Sequence, residues 1–223
     1  MLDHKSGKNP LYNVLSAYGF YDEEVGYCQG MNIVAAWLLK YFQEKIDNEN
    51  GFNSYGLQTN LDYNEIDSWY TLIYICHEKQ WREIYKPGMQ KIVNHLTLLS
   101  EVLSTGYEDV YKHLQEQLDD HVNLELVFWS QIMTIFISDL MDTSPQIATH
   151  IFDAFLIDGE MVIYTLFIKF IENLQDEILS RTDEDLNKFM KSEMPGECLK
   201  KVKMHELLDF YTCIESEQSN CKA

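Results

Sequence analysis

The chain has 223 residues and a mass of 26.3 kDa, which suits one large domain or two small ones. Apolar residues make up 46% and charged residues 24%, the mix of a folded globular domain; a wholly disordered, collagenous or low-complexity chain is excluded. Asp and Glu total 36 against 17 for Lys and Arg, a formal net charge of −19, so the surplus cations that nucleic acid or an anionic leaflet needs are missing.

Almost every segment carries the helical period. Residues 11–21 predict a short aromatic helix. Residues 31–42 (MNIVAAWLLKYF) are apolar nearly all round and predict a central buried helix. The polar stretch 44–62, with Asn50-Gly51 and Gly56, predicts an excursion loop. Three stripes with the 3, 4 rhythm of one packed helix face follow: Ile66, Trp69, Tyr70, Ile73 and Cys76; Met89, Ile92, Val93, Leu96, Leu99 and Leu103; and Tyr107, Val110, Tyr111, Leu114 and Leu118. Residues 124–137 are again apolar on most sides. Ser144-Pro145 supplies an N-cap and an N1 proline for 146–156. Asp158 is expected to cap a helix over 159–174, whose only polar strip is Thr165, Lys169, Glu172 and Asn173. Thr182 and Asp185 form an aspartate version of a capping box for 183–191. A last helix is expected over 200–211, and 215–223 read as a polar, disordered tail. With no period-two alternation and no fixed repeat, the expectation is an all-α body over 1–214 without a sheet.

Charge is uneven along this body. Residues 1–100 hold 8 basic and 12 acidic groups, a net of −4, and the other 9 basic and 24 acidic groups leave −15. Solvated helix faces account for such runs, and an acidic face that steers a basic partner is the sharper alternative. Only two of the cations are arginine, Arg82 and Arg181. Five cysteines without a CxxC spacing suit free thiols in a reducing compartment. No apolar run is long enough to span a membrane, and the first residues lack a secretory h-region.

The most unusual local sequence is Val25-Gly26-Tyr27-Cys28-Gln29-Gly30-Met31-Asn32. Two glycines four apart allow a sharp backbone bend and the close approach of a partner. A glutamine between them offers a carbonyl acceptor and an amide donor, which can hold a water molecule in line for attack but cannot act as a strong base. The residues alone leave two readings open, a plain turn before a buried helix or a positioned glutamine. Elsewhere the candidates are weak. His77-Glu78 lacks the second histidine of a zinc-protease helix, and no metal site is expected. Asp119-Asp120-His121 reads as a helix end, and Asp183-Glu184-Asp185 as a dipole-matched first turn. Cys28 has no histidine in an obvious partner position.

Tyr27-Cys28-Gln29-Gly30-Met31-Asn32 resembles the glutamine-finger box of the TBC domain, the Rab GTPase-activating family. The stretches 11–18 and 21–26, then Tyr85-Lys86-Pro87-Gly88-Met89, then 150–159 (HIFDAFLIDG) are similar to further elements of that family in the same order. The resemblance runs from about residue 10 to 189. It implies an irregular multi-helix TBC-type fold and a Rab-family small GTPase as partner. Gln29 would orient the attacking water, with Gly26, Tyr27, Cys28, Gly30, Met31 and Asn32 shaping the loop or touching the partner. The domain would carry no cofactor of its own, because GTP and Mg²⁺ come with the Rab. It would work on the partner's active site rather than on a substrate pocket of its own, in vesicle trafficking, in the cytoplasm and at endomembranes through the partner, with no membrane insertion and no nucleic acid.

The chain departs from the family pattern in one way that bears on mechanism. The family's arginine finger lies in an Ile-x-x-Asp-x-x-Arg box some tens of residues before the glutamine. Here 28 residues precede Gln29 and none is arginine. The domain is therefore expected to be N-terminally incomplete, with the arginine box upstream in the intact protein; the alternative is a catalytically impaired module that binds a Rab or serves as a scaffold. An incomplete body is also expected to expose an apolar strip near residues 11–42. Phe152 in place of tryptophan, His150 in place of arginine, and Gln131-Ile132 in place of an aromatic pair are packing-level changes.

Overall fold

A computed structural model describes residues 9–48, 62–117, 124–203 and 206. Among them there is no strand. The helices are α1 (Pro10–Tyr21), α2 (Met31–Asn48), α3 (Asp62–His77), α4 (Arg82–Tyr85), α5 (Gln90–Gly106), α6 (Glu108–Gln117), α7 (Leu124–Thr134), α8 (Ile137–Leu140), α9 (Pro145–Asp158), α10 (Met161–Leu179), α11 (Asp183–Lys188) and α12 (Met194–Lys201), with a π-helical turn, Phe189–Glu193, between the last two.

The all-α expectation is met, and at α1 the local sequence accounts for the helix start. Asn9 caps α1, its side-chain oxygen accepting from the Tyr12 amide at 3.3 Å, with Pro10 at the first helical position. The α1, α2 and α3 helices pack on one another, and α2 continues the core towards α7 and α8. The α10 helix lies against α9, α6 and α12 and buries nine side chains, from Val162 to Ile178. A chain of aromatic contacts joins these layers: Phe128 meets Phe167 at 4.6 Å between ring centres, Phe136 meets Phe167 at 4.9 Å and Phe170 at 5.4 Å.

Several boundaries differ from the sequence reading. The α2 helix runs on to Asn48, so the first residues of the expected excursion are helical; 49–61 lie outside the described residues. Residues 124–137 do not form one helix. The backbone breaks at Ile135 and Phe136, both in the left-handed region with φ of 55° and 58°. Asp158 caps nothing, because α9 continues through it and Gly159, at φ 70°, ends the helix. The α10 helix starts at Met161 and passes a non-helical Leu174 before ending at Leu179. Thr182 is the N-cap of α11 but makes no side-chain cap bond, and Asp185 instead accepts from the Arg181 guanidinium at 2.7 Å. Of the helix expected over 200–211, residues 200 and 201 close α12, which begins at Met194 with Pro195 in its first turn, and 204–205 and 207–211 lie outside the described residues. Leu118, Asp119-Asp120-His121 and the tail over 215–223 lie outside the described residues.

The α5 and α6 stripes face the core as expected, through Ile92, Leu96, Leu99 and Leu103 and through Val110 and Leu114. The α3 stripe does so only in part: Cys76 is fully buried and Trp69 and Ile73 pack against the core, but Ile66 and Tyr70 are exposed, and Ser68, Leu72 and Ile75, outside the stripe, are fully buried. This helix is apolar on more than one side, and the positions of α1 and α2 choose which side is covered.

Candidate functional site

The loop between α1 and α2 presents Gln29 to solvent, and among the described residues no polar group bonds its carboxamide. The residues around it are, by contrast, tightly held. Gly26 and Gly30 adopt φ values of 60° and 100°, which side chains with a Cβ rarely take. At Gly30 a Cβ would lie 3.4 Å from the Cβ of Met133 in α7, so glycine also permits close packing there. The turn then closes into α2: Gly30's carbonyl accepts from Ile33 N–H at 3.1 Å, and the Met31 amide donates to the Cys28 carbonyl at 3.2 Å.

The other expected site residues all serve this turn. The Asn32 side-chain oxygen accepts from the Gly30 amide at 3.2 Å and from the Tyr27 hydroxyl at 3.3 Å. Tyr27 is itself exposed. The Cys28 amide donates weakly to the Met31 sulfur at 3.3 Å, and Met31 is fully buried beneath the loop. Burial pushes the Cys28 thiol up, the opposite of what a nucleophilic cysteine requires. Gln29 is thus the one side chain of the 28–31 turn left facing outward.

The N-terminal end of the loop carries a feature the sequence reading did not find. Asp22, the C-cap of α1, is buried with a side chain only 4% exposed. Its carboxylate receives the Arg82 guanidinium in two bonds, Nε to Oδ2 at 2.5 Å and Nη2 to Oδ1 at 2.7 Å. The Tyr18 hydroxyl donates to the same carboxylate at 3.1 Å and the Val25 amide at 3.3 Å. Arg82 also bonds Glu24 at 2.6 Å. The guanidinium holds the Asp22 carboxyl below its ordinary value, with the Val25 and Tyr18 bonds acting in the same direction against burial. Burial raises the Tyr18 hydroxyl far above its usual range, so it stays a neutral donor. Nothing in the sequence links Asp22 to Arg82 across sixty residues, so only the fold could have revealed the pair.

Seven exposed apolar side chains lie on α1, α3 and the loop. Tyr12, Phe20, Tyr21 and Tyr27 in and after α1, and Ile66, Tyr70 and Tyr74 along one side of α3, are all more than two-fifths exposed. Between the two helices lies an open cavity of about 350 Å³ lined by Asn13, Val14, Ala17, Glu65, Ile66 and Trp69. Of the apolar surface expected near residues 11–42, Tyr12, Phe20, Tyr21 and Tyr27 are exposed and no described side chain of α2 is among the exposed large apolar ones, while further exposed apolar side chains lie on α3.

The sequence profile of the Rab-GTPase-TBC domain matches residues 1–179. The chain belongs to this family. It is 27% identical over 192 residues to TBC1 domain family member 1 of Bos taurus, covering 86% of this chain and 14% of that protein. It is 24% identical over 190 residues to the ecotropic viral integration site 5 ortholog of Drosophila melanogaster, 85% of this chain and 20% of that one. It is 26% identical over 193 residues to the Rab GTPase-activating protein eat-17 of Caenorhabditis elegans, 86% of this chain and 19% of that one. The chain thus spans at most about a fifth of the length of these relatives. Among the described residues there is no helix long and apolar enough to cross a membrane and no cluster of side chains suited to a metal ion.

Proposed function

We propose that this TBC domain acts on a Rab-family small GTPase, with the Gln29 carboxamide entering the partner's nucleotide cleft and orienting the water that attacks GTP. The GTP and its Mg²⁺ belong to the Rab; the domain contributes a positioned donor and acceptor. The observation that carries this reading is the exposed, unbonded carboxamide of Gln29 on a loop whose other members are held by glycine geometry and hydrogen bonds. A rigid support matters because positioning of water and nucleophile is most of what a protein can add to phosphoryl transfer.

The arginine that would neutralise charge on the transferring phosphoryl group is not supplied by the arginines seen here. Arg82 is engaged by Asp22 and Glu24, and Arg181 pairs with Asp185 while lying 4.3 Å above the Phe189 ring. An arginine finger contributes about 10³–10⁵ in rate. That corresponds to about 4–7 kcal/mol of barrier. Residues 1–223 alone are therefore expected to stimulate hydrolysis weakly. This favours a second reading, a module that binds a Rab without accelerating its reaction.

Phosphate release from GTP-loaded Rabs, with and without the chain, tests both. Weak stimulation that disappears in Gln29→Ala supports the finger. Stimulation that survives Gln29→Ala removes Gln29 from the mechanism. Stimulation of a thousandfold or more by this chain alone overturns the argument about arginine. Binding to a GTP-loaded Rab without any stimulation favours the binding module.

A further inference from the structure

We propose that Arg82 is a positioning residue for the Gln29 loop, and that the short helix α4 brackets that loop at both ends. The inference rests on the reading of Gln29 given above. Arg82 and Tyr85 are three residues apart in α4 and so share one side of it. Arg82 reaches the N-terminal end of the loop, where one guanidinium binds both Asp22 and Glu24. Tyr85 reaches the C-terminal end: its hydroxyl donates to the Met133 carbonyl at 3.0 Å, and Met133 is the residue against which Gly30 packs. The α4 helix is itself anchored, since Trp81, Ile84 and Tyr85 are buried and the Trp81 amide donates to the Ile75 carbonyl at 3.2 Å.

The chemistry of the clamp requires arginine. Two carboxylates two residues apart are joined by three bonds from one planar group, and the Asp22 oxygens bonded this way also fix the Val25 amide. A lysine ammonium keeps the charge but is a single point on a flexible stem, so it cannot reproduce a side-on pair to Asp22 together with the bond to Glu24. Without the fork, the Asp22 carboxylate keeps only its bonds from Tyr18 and Val25 and Glu24 loses its bond to Arg82, so residues 22–25 are held less firmly. Gly26 follows directly at φ 60°, and its amide is held by the Asp22 carbonyl at 2.7 Å, so a shift of Asp22 is carried into it. The displacement is passed to Gln29, three residues further on. An error of about 1 Å in a positioning group can lower a rate by around a hundredfold.

Arg82→Lys in the full chain is the test, read by hydrogen exchange and by GTP hydrolysis on a responsive Rab under single-turnover conditions. The expected result is exchange about tenfold or more faster at the amides of residues 25–30, with α5 and α10 unchanged. The maximal hydrolysis rate should fall about tenfold while the chain concentration giving half of it stays the same. In a Gln29→Ala background, Arg82→Lys should cause no further loss, since the two act through one group. Arg82→Ala should exceed Arg82→Lys in both readouts. Unchanged loop exchange in Arg82→Lys overturns the clamp, whatever the activity. A fall in rate that persists in the Gln29→Ala background, or faster exchange throughout α5 and α10, assigns Arg82 a general structural role and also overturns it. If Gln29→Ala hydrolyses GTP as well as the unaltered chain does, the reading of Gln29 fails, and loop exchange alone then decides whether the clamp exists.

Discussion

Two of the stretches of this domain that take left-handed backbone do so by opposite means. In the 22–30 loop the conformation belongs to Gly26 and Gly30, between which Tyr27 and Gln29 are exposed and Cys28 is buried, and the ends are fixed by ions and hydrogen bonds. At the α7–α8 junction it belongs to Ile135 and Phe136, both 0% exposed. A β-branched residue there is strained by roughly 1–3 kcal/mol. The burial of both side chains, with Phe136 set among Phe167 and Phe170, offsets that strain. The first turn keeps one side chain free for a partner; the second commits every side chain to the core. They meet at Met133, the last but one residue of α7, which packs on Gly30 and precedes the strained pair. The outward-facing turn is seated on the inward-facing one.

Substitutions can break this contrast in order of size. Phe136→Ala should be the most damaging, with a loss of about 3–5 kcal/mol measured by denaturant unfolding, because it empties an aromatic site and leaves a Cβ in left-handed backbone. Gly30→Ala should cost about 1–3 kcal/mol, since it meets both the φ of 100° and the 3.4 Å approach to Met133. Gly26→Ala meets only the φ and open space, and should cost about 1 kcal/mol; Gly26→Asn should cost less again, because asparagine tolerates this region. Gln29→Ala should stay within about 0.5 kcal/mol of the unaltered stability, as an exposed side chain with no bond to lose.

The α7–α8 junction also carries a pH dependence that the loop lacks near neutrality. Burial pushes the Asp139 carboxyl in α8 up to about 6 from an ordinary 3.8, although the Ser138 hydroxyl donates to it and acts in the other direction. The folded state therefore holds this proton more firmly than the unfolded state, and stability from this group rises as pH falls from about 6 to about 4. Asp139→Asn should raise the melting temperature at pH 7 and leave it unchanged near pH 4, as calorimetry at the two pH values would show. Asp22 works in the reverse sense: its value is lowered, so its contribution is present above the ordinary carboxylate range and is lost only as pH falls below about 4. His95, buried and held low by desolvation, opposes Asp139: its contribution is present above about 6.5 and declines as pH falls below that.

Much of the architecture was legible because helices write their period locally. The stripes of α5 and α6, the Ser144-Pro145 start of α9 and the glycine-flanked turn before α2 are all settled within a few residues of chain. The misreadings arose where local signals were ambiguous. The α3 helix is apolar on more than one side, so its buried face depended on its neighbours. Residues 124–137 carry no glycine or proline to announce a break, and the break is imposed by the gain from burying Ile135 and Phe136. Asp158 looked like a cap only because the glycine after it was not read as the end of α9.

The sequence by itself determined a helical domain, a glycine-flanked turn around Gln29, and the kinship with the Rab-GTPase-TBC family, because propensity, glycine conformation and motif order are properties of neighbouring residues. The tertiary structure alone decided that Arg82 binds Asp22 and Glu24, that Gly30 rests on Met133, and that α4 reaches both ends of the loop. Those contacts join residues forty-eight to sixty positions apart or more, and such pairing is fixed by how helices pack, which no local pattern encodes.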